Sequence, residues 1–208
     1  MYYGEKFNSI SHLIGAVLAL MGFGALLTVA IQSRSAGTIV SFSVFGLTLV
    51  ALYTMSTLYH SFHPPKLKAI FQKLDHLTIY LLIAGTYTPY MVVSLGNGIG
   101  YRMLAIVWGL ALVGLLLDLL NPKRIELLQI GIYLFMGWVC VFELRALREA
   151  IPAPGMLWLT LGGLAYTGGV IFYVLDDLKG LRHAHGIWHI FVLVGSICHF
   201  ISIMGFVR

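Results

Sequence analysis

Eight histidines stand out in this chain: His12, His60, His63, His76, His183, His185, His189 and His199. Within His185-Gly-Ile-Trp-His189 two imidazoles fall at i and i+4, so on a helix they are neighbours on one face, about 6 Å apart at Cβ. Ser56-Thr-Leu-Tyr-His60 repeats the spacing and offers a third imidazole. Imidazoles bind zinc at about 2.0–2.1 Å, and three of them with one open position make the arrangement of a catalytic zinc. A water in that position has its pKa lowered to about 7, giving hydroxide at neutral pH. Asp75 is the candidate to orient that water or act as general base. Ser56 is placed to hydrogen-bond a ligand imidazole, the water or a substrate oxygen. The competing reading is a set of interfacial histidines that snorkel or cap helix ends.

The elements that position these residues are set by composition. The 208 residues are 59% hydrophobic and 10% charged, with a mean hydropathy of +0.91. Soluble domains carry about 25% charged residues. A soluble core of this size cannot hide so much apolar surface, whereas a bilayer can. The expected fold is therefore all-α: one domain over residues 1–208, a bundle of seven transmembrane helices, multi-pass in the cell membrane. Spans are expected near 10–31, 38–60, 74–94, 102–120, 125–144, 156–178 and 185–207. The breaks carry turn chemistry in Pro64-Pro65, Gly96-Asn97-Gly98, Asn121-Pro122 and Pro154-Gly155. Asn121-Pro122-Lys123-Arg124 predicts an antiparallel hairpin of the fourth and fifth spans. No removable signal peptide is evident, because the first apolar stretch from Ile10 to Ile31 is long enough to span. Cys140 and Cys198 both fall inside spans, which argues against a disulfide framework. The net charge of +5 reads as residues flanking spans rather than as a nucleic-acid surface.

Lys and Arg set the orientation. With seven spans, Lys6, Lys66, Lys68, Lys73, Lys123, Arg124, Lys179 and Arg182 lie on the N-terminal side; Arg34, Arg102, Arg145, Arg148 and Arg208 lie on the other. The excess predicts a cytoplasmic N-terminus and an external C-terminus. On that topology every histidine but His199 reaches the cytoplasmic side; His199 lies ten residues past His189, about 15 Å along a helix. Asp75, Asp118 and Glu126 belong to the same leaflet, so distant segments deliver His and Asp to one depth, and ionisable groups there are functional candidates. His63 and His183 read as loop residues. His76 should point to another face than Asp75, and His12 and His199 should be inter-helix hydrogen-bond donors. Asp118 and Glu126 should be solvated or paired with Lys123 and Arg124, while Asp176 and Asp177 should belong to a charged loop. Trp108 and Tyr101 should anchor at the membrane interface.

The ordered set Glu5-x-x-Asn8-x-x-Ser11-His12-x-x-Gly15, Ser56-x-x-x-His60, Asp75, Ala84-Gly85-Thr86-Tyr87-Thr88-Pro89 and His185-x-x-x-His189 with His199 resembles the hemolysin III group of the progestin and adipoQ receptor family. The resemblance covers nearly the whole chain. It implies seven helices, a cytoplasmic N-terminus and a zinc ion near the cytoplasmic leaflet held by His60, His185 and His189, with Asp75 and Ser56 close by. Receptor relatives carry a longer cytoplasmic N-terminal region than the few residues seen here, which counts against a protein-hormone receptor. The wider superfamily includes alkaline ceramidases, and bacterial members are linked to membrane homeostasis; a shared fold does not settle the reaction.

Three functions are carried forward. The first is a zinc-dependent hydrolase of lipid amides or esters, ceramidase-like, with membrane lipids as partners and substrate. The second is a membrane-homeostasis sensor, receptor-like, in which zinc is structural. The third is a pore-forming cytolysin, ranked last because the polar groups cluster in one leaflet instead of lining a path.

Overall fold

In the lipid-facing part of a membrane every backbone polar group must be bonded within the protein, which leaves helices as the economical solution for an apolar chain. The computed structural model describes residues 4–121, 125–177, 181 and 183–208. They form α1 (Lys6–Gln32), α2 (Ala36–Ser61), α3 (Pro65–Pro89), α4 (Gly98–Leu120), α5 (Glu126–Trp138), α6 (Leu144–Ala150), α7 (Ala153–Asp177) and α8 (Ala184–Phe206). A π-helical turn, Tyr90–Leu95, extends α3, and a 3-10 segment, Val139–Glu143, joins α5 to α6. Among the described residues there are thus seven segments long and apolar enough to cross a membrane, and no strand. The protein is a multi-pass membrane protein. Apolar side chains such as Met21, Leu127 and Phe142 point outward, a surface that suits lipid and would drive aggregation in water.

Local chemistry fixes the ends. Ser35 caps α2, its side chain accepting from the Thr38 amide at 3.3 Å. Pro65 stands in the first turn of α3, where its missing N–H removes no intrahelical bond. Asn97 caps α4 through the amides of Ile99 and Gly100. Gly96 supplies the left-handed residue, φ 52°, that ends the π turn.

Two boundaries differ from expectation. The third span begins at Pro65, well before residue 74. Lys66, Lys68 and Lys73 are helical residues rather than loop residues, because charge ends a hydropathy signal without ending a helix. The fifth span runs from Glu126 to Ala150 and is interrupted by the 3-10 segment. There the Tyr87 hydroxyl donates to the carbonyl oxygens of Met136 (2.8 Å) and Gly137 (3.0 Å) and accepts from the Cys140 amide (3.1 Å). The expected hairpin turn at Pro122, Lys123 and Arg124 lies outside the described residues, as do Lys179 and Arg182.

α1 packs along α2, α2 along α3 and α7 along α8, while α8 also meets α1. This brings the first turns of α1 and α8, the last turns of α2 and α7, and a stretch of α3 to one end of the bundle. Both cysteines are free thiols. Trp108 donates its indole N–H to Thr88 Oγ1 at 3.2 Å, so it ties two helices together where an interface anchor was expected.

Candidate metal centre

Three histidines from two helices converge at that end. His60 closes α2, and His185 and His189 occupy successive turns of α8. Their ring centroids stand 5.0 Å (His60–His185), 4.9 Å (His60–His189) and 4.8 Å (His185–His189) apart. One ligand nitrogen from each lies within 4.8 Å of the others. His60 and His189 are buried and His185 is partly so.

The second ring nitrogen decides what the first can do. His60 Nδ1–H donates to Glu5 Oε2 at 2.7 Å. His185 Nδ1–H donates to Asp176 Oδ2 at 3.2 Å. His189 Nδ1–H is shared between the Asn8 carbonyl and Ser11 Oγ, both at 3.1 Å. Ionised carboxylates and carbonyls only accept, so each Nδ1 carries the proton and each Nε2 presents a lone pair. That is how metal-binding histidines are oriented: a carboxylate or carbonyl behind the ring fixes its tautomer. His60 Nε2 is buried and has no hydrogen-bond partner among the described residues, which a metal ion would satisfy. The donor set is all imidazole, a chemistry that suits zinc.

Glu5 is itself held from several sides. Lys68 Nζ donates to its Oε1 at 3.0 Å, and Asn8 Nδ2 to its Oε2 at 3.0 Å. The hydrogen bond from His60 is the strongest influence on the Glu5 carboxyl. Burial works against it, while attraction to His60 and the bonds from Lys68 and Asn8 add to it. The net result holds Glu5 well below the usual carboxylate range.

Beside the triad lies a cavity of about 170 Å³ whose walls include His185, His189, Ser56 and Asp75. His12 joins them: its ring stacks on His189 with centroids 3.5 Å apart, and its Nδ1 lies 2.6 Å from Ser56 Oγ. The expected inter-helix bond of His12 is therefore present, made to Ser56. A second, apolar chamber of about 200 Å³ adjoins the first. The two share Leu52, Ile79, Tyr173, Trp188 and Val192 as walls.

Some residues behave differently from their reading as a sequence. Asp176 lies in the last turn of α7 and serves His185, where a charged loop residue was expected; Asp177 is helical too. His76, one residue on from Asp75 along α3, borders the same cavity. Asp118 accepts from the Gln129 side-chain amide; Glu126 is exposed, as expected, and borders the cavity, while the pairing expected with Lys123 and Arg124 lies outside the described residues. Glu5 and Asn8 were read only as parts of a motif. Their signal was the motif's spacing, which gives three residues per turn-like step and so one face of α1.

The family described as haemolysin-III related matches residues 2–200. The chain belongs to this family. It is 40% identical over 200 residues to "Hemolysin-3 homolog" of Bacillus subtilis (strain 168), covering 96% of this chain and 92% of that one. It is 38% identical over 203 residues to "Hemolysin-3" of Bacillus cereus, covering 98% and 91%. A more distant relative is "Adiponectin receptor protein" of Drosophila melanogaster, 24% identical over 223 residues, covering 94% of this chain and 49% of the receptor.

Proposed function

We propose that this haemolysin-III family member holds one zinc ion on His60, His185 and His189 and uses it to hydrolyse an amide or ester of a membrane lipid. The observation that carries the reading is the triad of Nδ1-anchored imidazoles beside a cavity that adjoins an apolar chamber. Zinc at this position would supply a Lewis acid for the carbonyl and lower the pKa of a water to about 7. Asp75 takes the proton of the attacking water and delivers it to the leaving nitrogen or oxygen as the carbonyl carbon–heteroatom bond breaks. Ser56, with its oxygen against His12 Nδ1, donates its own hydroxyl proton to the carbonyl oxygen as charge develops there. The chamber receives the acyl chain. The Lys and Arg excess at the N-terminal side supports placing this end of the bundle at the cytoplasmic face.

A structural role for zinc is the second reading. It is favoured by the way the three rings draw on four helices: α2 and α8 carry them, α1 and α7 supply Asn8 and Asp176, and Glu5 precedes α1. A pore is not favoured, because the chamber wall is built chiefly of apolar side chains.

The first experiment is the metal content of the purified protein beside His60→Ala and His185→Ala. About one zinc per chain, lost in both variants, is expected from a three-histidine site; wild-type protein free of metal removes the proposal. The zinc-loaded protein in lipid is then offered a panel of ceramides and acyl-lipids, with Asp75→Asn as the control that keeps zinc and loses turnover. An untouched panel rejects hydrolysis. The structural reading predicts instead that Asp75→Ala preserves cellular function while His60→Ala unfolds the bundle.

A further inference from the structure

The three imidazoles of the candidate metal centre are not held alike. The His60 side chain is 3% exposed, and its anchor Glu5 is bonded in turn by Lys68 and Asn8. His189 is buried, rests on the Asn8 carbonyl and Ser11, and carries the His12 ring stacked on its own. The His185 side chain is 23% exposed. Its hydrogen bond among the described residues runs to Asp176 at 3.2 Å, a carboxylate that is itself 44% exposed. The backbone beneath His185 does not share this freedom. Gly186 is buried against Phe7, where any side chain would collide with the Phe7 ring. The first turn of α8 is thus pinned, and the freedom belongs to the His185 side chain, which can change rotamer. It has room to do so, because His185 borders the cavity of about 170 Å³, whereas His60 is not among the side chains that line it.

The same cavity is where a cation would arrive. Asp75, Glu126 and Asp176 border it, and among the described residues no Lys or Arg does. Charges of one sign around a cleft raise the local concentration of the opposite ion. We infer that the metal is loaded and released through this cavity, and that His185 is the ligand that opens, its imidazole turning away while His60 and His189 stay in place. The inference rests on the zinc site proposed above and not on the hydrolytic reaction. It has a kinetic consequence. At the barrier to exchange, His185 has let go and the other two rings still hold the ion. A change that weakens His185 is then felt in the bound state alone, and it speeds release. A change that weakens His60 is felt equally in the bound state and at the barrier, so it slows loading and leaves release as it was.

The test is zinc exchange by the full chain in nanodiscs of uncharged lipid. Release is timed after adding excess chelator to the loaded protein. Loading is timed after mixing stripped protein with zinc, by the fall in free zinc read with a fluorescent indicator. Asp176 is exposed in the last turn of α7, so Asp176→Asn spares the core. At about 0.15 M salt, where long-range attraction is largely screened, it should speed release about 10-fold or more and change loading by less than about twofold. Glu5→Gln should show the converse, slowing loading about 10-fold or more with release nearly unchanged. Glu126→Gln, outside the histidine trio, should slow loading about threefold at low salt and leave release alone. Release speeded by Glu5→Gln, release unmoved by Asp176→Asn, or a Glu126→Gln protein that loads like the wild type overturns the inference and leaves the zinc site standing. A wild type that takes up no zinc overturns the site itself, and the inference with it.

Discussion

At the scale of single residues, the candidate metal centre depends on groups outside the histidine trio. Glu5 is the most consequential, because it fixes the tautomer of His60 and joins α1 to α2 and α3 through Asn8 and Lys68. Removing its charge in Glu5→Gln should weaken zinc binding by about 10–100-fold, as loss of such partners does. Competition with a zinc chelator reads this directly. The pH dependence has a definite sign. A carboxyl held below its ordinary value contributes stability that is present above that value and is lost only as pH falls through the lower, folded one. Glu5 therefore stays ionised between about pH 8 and pH 5, and the Glu5→Gln penalty, read by the same chelator competition, should be present at neutral pH. The convergence of the three histidines was legible in the sequence, because an i, i+4 pair and a third histidine at matching depth leave a pattern. Its partners were not. Glu5 and His60 are separated by 55 positions, and Asp176 read as loop because two adjacent carboxylates end a hydropathy signal.

At the scale of helices, the site is only as well placed as α1. The first turns of α1 supply Asn8, Ser11 and His12, and α1 leans on α2 where Gly15 meets the Tyr53 ring. A Cβ on Gly15 would come within 2.5 Å of that ring. Tyr53 has nowhere to go: it is 1% exposed and its hydroxyl is bonded to Ser196 at 2.7 Å. Gly15→Ala should therefore destabilise the bundle by about 1–3 kcal/mol, the usual penalty of overpacking. Thermal unfolding in detergent should show a lowered Tm, together with poorer retention of zinc. An unchanged Tm would mean that α1 can slide on α2 without consequence. Seven helices were readable from hydropathy because bilayer thickness sets their length. The early start of α3 and the break in the fifth span were not, since hydropathy reports where lipid begins and says little about where hydrogen bonding changes.

At the scale of the whole molecule, the polar chemistry sits at one end and the apolar chamber runs towards the other. If the triad end faces the cytoplasm, an alkaline phosphatase fused after Arg208 should be active in a bacterial host and the same enzyme fused before the first residue should not. An inactive C-terminal phosphatase, with a C-terminal fluorescent protein that matures, would reverse the orientation. The interrupted fifth span bears on how such a molecule is made. Its backbone turns two carbonyls and an amide towards Tyr87, and without that phenol they would face an apolar surrounding unsatisfied. Ribosomes deliver α3 before α5. The phenol is thus waiting when the broken segment leaves the translocon, and order of synthesis protects a span whose helix is interrupted.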